Sequence, residues 1–453
     1  MKGRVTFIGL VFVLTLAPLG GLTAAQTTSP NSKIGPPLPK VGAFLDPAFG
    51  LGGEVTTDFG LGRDDQALAM TIQADGQIVA AGRASIPGNG TDFALARYNP
   101  DGSPDKSFGK GGIATTDFSG GNDRATGVAV QPDGKIIVGG DSFNTNTGNT
   151  DFALARYNAD GSVDTNFDTD GKLTTDLSLN DLANALVLQS DGKIILVGSV
   201  LDNKLSKDFA LIRYNSDGSL DSKFGSGGRV VTDFFQNSDE ISDAILGSDG
   251  SILAVGFAAS SATGRDFAIA RYNGDGSLDT TFGIGGKATV DFFGNTDEAR
   301  AAAVQPDGRI VLAGSAFNGT TLADFGLARF NADGTLDTSF GNGGKVTTDF
   351  FHNLDEAQAV VVLPDESIVA AGRAFARGGN SDFALVAFHS DGTPNANFGA
   401  KGKLTTDFRG GNDQAFKMVI DVDGRLLVAG AAAVPNLGQD FALARYLLVA
   451  EKP

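Results

Sequence analysis

The stretch Asp92-Phe93-Ala94-Leu95-Ala96-Arg97-Tyr98 decides the fold, because close copies of it recur through the chain. The other six copies begin at these aspartates: Asp151, Asp208, Asp266, Asp324, Asp382 and Asp440. Successive copies lie 57 to 59 residues apart. A fixed period of this length, with several short apolar runs in each unit, indicates a repeat architecture with one continuous core.

A single unit, residues 286–343, shows how the repeat is predicted to fold. It contains four short strand-like runs, at residues 286–292, 299–305, 309–313 and 324–330. A Pro-Asp-Gly turn joins the second run to the third, with glycine where a positive φ is tolerated. No run has the length or the 3.6-residue period of a substantial helix. Seven such units predict an all-β, seven-bladed β-propeller of four-stranded antiparallel blades.

The two ends of the repeat region predict how the ring closes. The first unit begins with only the outer-strand segment, residues 45–59, and the last unit ends just after the third strand of its blade, counted from the pore, at Arg445 and Tyr446. An N-terminal outer strand joined to three C-terminal strands would complete the seventh blade and leave no open edge. A β-solenoid is the rival fold, but its coils are shorter and give no reason for such permuted ends.

The N-terminus predicts export. Lys2 and Arg4 precede an apolar run at residues 5–19, and Thr23-Ala24-Ala25 supplies the small residues of a cleavage site. The alternative is an uncleaved anchor, although the run is short against the ~20 residues of a membrane span. The expected organisation is a signal peptide at 1–25, a Pro-rich linker at 26–44, the propeller at 45–447 and a tail at 448–453. The expected location is periplasmic, cell-surface or secreted, without membrane insertion after cleavage.

The repeat also resembles a known family. Asp-Phe-Ala-Leu-Ala-Arg-Tyr-Asn-x-Asp-Gly-Ser-Leu-Asp-x-x-Phe-Gly, with Pro-Asp-Gly-Lys-Ile or a close variant, looks like the delta-60 repeat of exported bacterial proteins of unknown function. A looser similarity is to NHL-type propellers. The resemblance implies a propeller fold and export, and it brings no catalytic residue. The chain departs from the pattern at Ala387, at Asp365-Glu366 and at Asn395.

Composition excludes several classes of function. The formal net charge of −18 disfavours binding to nucleic acid and to anionic membranes. The absence of cysteine excludes disulfides, thiolate metal sites and a cysteine nucleophile. The two histidines, His352 and His389, have no metal-ligand spacing, and no catalytic motif is present. We therefore predict no catalytic residue and no cofactor, and we expect a monomer.

Most acidic residues recur with the repeat. Those of the Asp58, Asp65, Asp75 and Asp92 types occur in all seven units. Because an active site does not need seven copies, these carboxylates are expected to accept hydrogen bonds from nearby backbone N–H groups. The repeated arginine, Arg97 and its equivalents, is expected to pair with a carboxylate between blades. The repeated phenylalanines are expected to pack between blades.

One repeated turn resembles a calcium loop. The segment Asn99-x-Asp101-Gly102-x-x-Asp105 has carboxylates at the spacing of the Ca²⁺ loops of some propellers. In that register, however, the cation Arg97 occupies the first ligand position. Calcium needs six to eight oxygen ligands. The alternative, a plain turn, is therefore favoured, and no metal site is predicted.

The variable loops are the predicted binding surface. The connections between the third and fourth runs of the unit, which are the second and third strands of a blade counted from the pore, keep nine or ten residues but differ in every unit. Variable loops on a constant scaffold are a common place for binding, although drift in loops that contact nothing is the alternative. The candidate binding residues are Ser85, Asn89, Asn144, Asn146, Asn203, Lys204, Arg265, Asn318, Arg377, Asn380 and Asn436.

The predicted function is an exported, non-enzymatic binding scaffold for a protein or for a cell-surface or extracellular glycan. The alternative is a propeller-type polysaccharide hydrolase or lyase that uses a pair of carboxylates. The lack of tryptophan weakens both sugar hypotheses, because Trp is a favoured stacking surface.

Overall fold

The computed structural model describes residues 42–60, 64–201, 205–319, 322–376, 378–434 and 438–449. The predicted signal peptide lies outside the described residues, as do most of the predicted linker and the last four residues of the tail. Their assignment stays a prediction. The described residues contain 29 β-strands and no helix. All of them fall in one unit of the chain, Val41–Pro453.

The strands form seven antiparallel sheets, which confirms the predicted fold class. Strands β1 (Gly42–Leu45) and β2 (Glu54–Thr57) come first in the chain and belong to blade 7. Blades 1 and 2 contain β3 (Gln66–Ile72), β4 (Ile78–Ile86), β5 (Gly90–Tyr98), β6 (Ile113–Thr116), β7 (Asp123–Val130), β8 (Ile136–Asn144), β9 (Asn149–Tyr157) and β10 (Lys172–Thr175). Blades 3 and 4 contain β11 (Asp181–Leu188), β12 (Ile194–Leu201), β13 (Lys207–Tyr214), β14 (Arg229–Thr232), β15 (Asp239–Leu246), β16 (Ile252–Ser260), β17 (Gly264–Tyr272) and β18 (Lys287–Val290). Blades 5 and 6 contain β19 (Asp297–Val304), β20 (Ile310–Phe317), β21 (Ala323–Phe330), β22 (Lys345–Thr348), β23 (Asp355–Val362), β24 (Ile368–Phe375), β25 (Ser381–Phe388) and β26 (Lys403–Thr406). Blade 7 is completed by β27 (Asp413–Ile420), β28 (Leu426–Val434) and β29 (Gly438–Val449).

The first strand of each blade lines a central channel. Strands β3, β7, β11, β15, β19, β23 and β27 contact one another in succession, and the last returns to the first. We name the strands of a blade a, b, c and d from the channel outwards. The loop face is the side of the ring that carries the b–c and d–a connections. The turn face carries the a–b and c–d turns.

The alternation of large and small side chains in strand c explains how the blades pack. In blade 1, Phe93 and Leu95 pack on the small Ala153 of blade 2. The opposite side of the same strand presents Ala94 to Phe441 of blade 7. Each blade therefore offers a large face to the small face of the next blade. Burying each large side chain contributes about 1.5–3 kcal/mol, and all seven cores lie between blades.

The closure of the ring agrees with the prediction. Strand β2 pairs with β29 as the outer strand of blade 7. Strand β1 pairs with the end of β29 and replaces the c–d turn of the other blades. The Nε of Arg445 donates to Oδ2 of Asp46 at 2.8 Å, joining the two ends of the chain. The sheet runs from Gly42 to Val449, slightly beyond residues 45–447.

Every blade has a β-bulge between strands a and b. In blade 1 the register shifts between Ala67 and Ala69, so Leu68 is unpaired. The glycine opposite the bulge makes room for it, because a Cβ on Gly82 would lie 1.8 Å from the carbonyl oxygen of Gln66. The same shift occurs in the other six blades.

Candidate functional site

The seven bulge residues surround a cavity in the central channel. They are Leu68, Thr126, Asn184, Ser242, Arg300, Gln358 and Phe416, and all of them line a cavity of about 430 Å³. Bulges commonly direct a side chain towards a site. This is the one position of strand a at which all seven blades carry a different residue. The side chains that line the channel therefore differ from blade to blade, although the backbone around them repeats seven times.

The cavity has two kinds of wall. Leu68 and Phe416, from blades 1 and 7, form an apolar side. Asn184, Ser242 and Arg300, from blades 3 to 5, form a polar side. Apolar lining with a few placed polar groups is typical of ligand sites, and the volume lies within the usual range of about 300–1,000 Å³.

An ion pair crosses the channel next to the bulges. Nζ of Lys417, in blade 7, lies 3.5 Å from Oδ1 of Asp243, in blade 4. Two polar atoms beside this pair are buried and have no hydrogen-bond partner among the described residues, Oγ of Ser242 and Nε of Arg300.

Charged side chains surround the mouth of the channel on the loop face. Nη2 of Arg124 lies 2.7 Å from Oδ2 of Asp141 and 3.2 Å from Oδ1 of Asn184 in the next blade. Nδ2 of Asn184 in turn donates to Oε1 of Glu240 at 3.1 Å. Arg83 lies beside this chain of contacts, and its Nε is buried without an acceptor among the described residues. Burial and the nearby Arg124 lower the pKa of Arg83.

Most of the repeated acids have the structural role that was predicted. Oδ1 of Asp101 accepts the N–H of Ser103 at 2.9 Å, and Oδ1 of Asp75 accepts the N–H of Gln77 at 3.1 Å. Asp297 accepts the N–H groups of Phe292 and Phe317, at 2.8 and 3.0 Å, and so ties strand a to the preceding loop and to strand b.

The repeated arginine binds differently from the prediction. Nε of Arg97 donates to Oδ2 of Asp105 at 2.7 Å, and Asp105 belongs to the same blade. The prediction of a carboxylate between blades was therefore wrong. The contact between blades goes from Nη1 of Arg97 to the carbonyl oxygen of Ala159, at 2.5 Å. The guanidinium also lies over the ring of Phe108, 4.7 Å from its centroid.

The calcium-like turns are held by this ion pair. Because Arg97 donates to Asp105, that carboxylate is already compensated by a cation. Oδ1 of Asp101 accepts both the N–H and the hydroxyl of Ser103. These contacts favour the plain turn at the Asn-x-Asp-Gly segments.

A second arrangement of acids was not foreseen. On the loop face, the aspartates that begin strand c, follow strand d and begin the next strand a converge between consecutive blades. In five such triads, one carboxylate oxygen of each residue lies within 4.8 Å of the others: Asp58/Asp65/Asp440, Asp92/Asp117/Asp123, Asp151/Asp176/Asp181, Asp208/Asp233/Asp239 and Asp266/Asp291/Asp297. Burial raises the pKa of Asp297 to about 6 and that of Asp239 to about 7, and in each case two neighbouring aspartates raise it further.

Seven of the eleven predicted loop residues are described, and they lie on the loop face, where many of them hold the local structure. Nδ2 of Asn89 donates to Asp92 at 3.1 Å, and that of Asn318 donates to Asp324 at 2.7 Å. Oγ of Ser85 donates to the carbonyl oxygen of Asp64 at 2.9 Å.

Four more of the predicted residues have similar surroundings. Oδ1 of Asn144 accepts the N–H of Asn146 at 3.0 Å. Arg265 pairs with Glu298, and Asn380 donates to the carbonyl oxygen of Gly410 at 2.6 Å. The other four predicted residues lie outside the described residues: Asn203, Lys204, Arg377 and Asn436. The assignment of all eleven as binding residues stays a prediction.

The channel residues were missed because strand a was considered only as a core strand. Two signals in the sequence could have revealed them. A glycine follows the apolar run of strand b in every unit, and residues 68, 126, 184, 242, 300, 358 and 416 share one phase of the repeat without sharing an identity. A position that varies inside a constant strand indicates a side chain outside the shared core.

Comparison with known proteins agrees with this architecture. The family described as "Domain of unknown function (DUF5122) beta-propeller" matches residues 73–108, 131–167, 189–224, 247–282, 305–340 and 363–398. The chain is a repeat-built β-propeller. No curated protein matches this propeller. The resemblance to delta-60 repeats and to NHL-type propellers stays a prediction.

Several solved structures share the architecture. A polysaccharide lyase of family PL25, an ulvan lyase, is 14% identical with a TM-score of 0.49, over 87% of this chain and 96% of that chain. An α-L-arabinofuranosidase from Fusarium graminearum is 11% identical with a TM-score of 0.45, over 87% and 97%. A protein of unknown function from Dyadobacter fermentans is 11% identical with a TM-score of 0.44, over 88% and 100%. At these sequence identities and TM-scores, the similarity shows a shared fold and nothing about function. In the described part of the propeller, no helix has the length and hydrophobicity of a membrane span.

Proposed function

We propose that this propeller is an exported binding scaffold that holds part of an extracellular glycan chain at the loop-face mouth of its channel. The observation that carries the proposal is the ring of seven different bulge side chains around one cavity. A specific ligand needs contacts that differ from one another, which seven identical blades do not supply.

The chemistry of the cavity favours a sugar. Phe416 and Leu68 offer an apolar surface for the C–H face of a sugar ring. Asn184 and Gln358 carry side-chain amides that can both donate to and accept from sugar hydroxyls, and Arg300 adds a donor fork. A protein partner would instead depend on the b–c loops, many of whose predicted residues are bonded within the fold.

A binding role is favoured over the hydrolase or lyase alternative. Carboxylate-pair catalysis needs two carboxyl groups that act on the same bond. Five acids of strands a and b lie in ion pairs. These pairs are Glu240 with Lys207, Glu298 with Arg265 and Arg300, Glu356 with Arg373, Asp141 with Arg124, and Asp243 with Lys417.

The test is a binding screen of the chain from Val41 onwards against neutral and acidic polysaccharides, by affinity electrophoresis. We expect retardation by at least one glycan. We also expect Phe416→Ala and Arg300→Ala each to weaken binding about tenfold, which corresponds to 1.4 kcal/mol. Val422→Ser is the matched control, because Val422 is 88% exposed in the a–b turn of blade 7.

Three outcomes would contradict the proposal. Binding that survives both channel substitutions would move the site elsewhere. Binding that is lost when b–c loops are replaced by Gly/Ser of equal length, but not with the channel variants, would favour a partner docked on the loops. Release of sugar products, abolished by one acidic substitution, would favour the enzyme.

A further inference from the structure

The triad Asp151/Asp176/Asp181 differs from the other triads in its loop. Asp176 precedes Asp181 by five residues, whereas the equivalent pairs are six or seven residues apart. In the longer loops the first aspartate accepts a backbone N–H, as Asp117 does from Gly120 at 2.7 Å. With one residue fewer, Asp176 accepts no hydrogen bond from a described residue.

Asp151 lacks a partner as well. Its side chain is buried, with 6% of the residue exposed, and its Oδ1 has no hydrogen-bond partner among the residues that the structure describes. Three of its equivalents receive a side-chain donor from the preceding loop, although Oδ1 of Asp266 is likewise buried without a partner among the described residues. Oγ1 of Thr263 donates to Asp266 at 2.7 Å, and Asn89 donates to Asp92.

No ion pair involves this triad among the described residues. Two aspartates at equivalent positions do have a basic neighbour: Nη1 of Arg409 lies 3.9 Å from Oδ2 of Asp440, and Nδ1 of His352 lies 2.5 Å from Oδ2 of Asp349. Among the described residues, no lysine, arginine or histidine forms an ion pair with Asp151, Asp176 or Asp181. Burying a carboxylate oxygen that has no donor, between two further carboxylates, destabilises the fold unless a proton or a cation is bound there.

We propose that Asp151, Asp176 and Asp181 bind a calcium ion between blades 2 and 3. Hard carboxylate oxygens are the ligands that Ca²⁺ prefers, and water and backbone carbonyls commonly complete its shell of six to eight. Their separation fits this ion, because oxygens within 4.8 Å of one another can share a cation at about 2.4 Å. The site is distinct from the Asn-x-Asp-Gly turns on the opposite face.

The titration behaviour of the same groups is consistent with a cation. Burial raises the pKa of Asp181 to about 6, and burial and Asp176 raise the pKa of Asp151. Protons therefore compete with the ion, so calcium affinity should fall as the pH drops from about 7.5 to 5.5.

The experiment is calorimetric titration of the chelator-treated chain, from Val41 onwards, with CaCl₂. We expect the parent to bind one calcium ion and the Asp176→Asn variant to bind none. The melting temperature should rise with Ca²⁺ in the parent but not in the variant. Asp176 is exposed, so this change leaves the core intact. Asp349→Asn is the matched control, since that carboxylate already contacts the imidazole and the backbone N–H of His352, and it should bind as the parent does.

The proposal fails if the parent binds no calcium up to about 10 mM, beyond the range of weak extracellular calcium modules. It also fails if Asp176→Asn binds as well as the parent. Equal affinity for Mg²⁺ would overturn the assignment to calcium. If the Asp176→Asn variant has a lower melting temperature than the parent without metal, the same titration is made with Asp151→Asn, which removes the charge of the buried member of the triad.

Discussion

At the scale of single residues, two polar pairs are lost together where the repeat departs from its pattern. The buried arginine and its carboxylate become Ala387 and Asn395 in the same unit. The hydroxyl pair seen as Tyr98 and Thr57, 2.7 Å apart, is absent in the unit of Phe330, whose partner position holds Val290, whereas Phe388 leaves the hydroxyl of Thr348 in place. If only one member of a buried polar pair were replaced, the other would keep the full free-energy cost of its desolvation. Replacing both members therefore destabilises the fold less than replacing one.

We predict that this compensation can be reproduced at Arg97 and Asp105. Arg97→Ala leaves Asp105 buried without its cation, and breaking a buried pair in this way costs about 3–5 kcal/mol. Adding Asp105→Asn removes the unpaired charge, so the double variant should be more stable than Arg97→Ala alone. Urea unfolding of the parent, both single variants and the double variant measures the difference. Additive destabilisation would show that the two side chains do not act as a pair.

At the scale of strands and loops, much could be predicted from the sequence. The Pro-Asp-Gly turns and the b–c hairpins follow from glycine and from apolar runs within one unit. The triads could not be predicted in the same way, because Asp151 and Asp181 belong to different blades and meet only once the blades pack. The partner of Arg97 was misassigned for a related reason. Asp105 follows Arg97 by eight residues and lies in the c–d connection of the same blade.

The seven aspartates that begin strand a predict an unusual pH dependence. Burial raises the pKa of Asp65 to about 6 and that of Asp355 to about 7, above the ordinary value of 3.8. Between about pH 4 and 7 the folded protein therefore binds more protons than the unfolded chain, and its stability falls as the pH rises. We expect a higher melting temperature at pH 5 than at pH 8 in buffer with a chelator.

The opposite trend is expected in strong acid. The pKa of Asp164 is lowered to about 2 by Lys135, Asn166 and Arg156, against its desolvation. The stability that this carboxylate provides is present above about pH 4 and is lost as the pH falls towards 2. A melting temperature that rises steadily from pH 5 to pH 8 would contradict the assignment of raised pKa values to the triads.

At the scale of the whole molecule, regularity and variation occupy different places. The cores between blades repeat with little change, since each large face must fit the next small face. The channel has no such constraint, because the bulge residues lie outside the shared cores. The repeat therefore predicts the scaffold well but says little about the ligand, which depends on seven residues that do not repeat.

The last prediction concerns the closure of the ring. A chain that begins at Gly60 lacks β1 and β2, and it also lacks Phe49, which is fully buried, and Asp46, the partner of Arg445. Loss of a buried Phe side chain costs about 3–5 kcal/mol, and the bare edge of β29 can pair with a second molecule. Compared with a chain that begins at Val41, we expect a much lower melting temperature and aggregates in size-exclusion chromatography. Both chains lack residues 1–40, so the difference reports on the closing strands alone. Equal melting temperatures would mean that the three C-terminal strands hold the ring without their N-terminal partner.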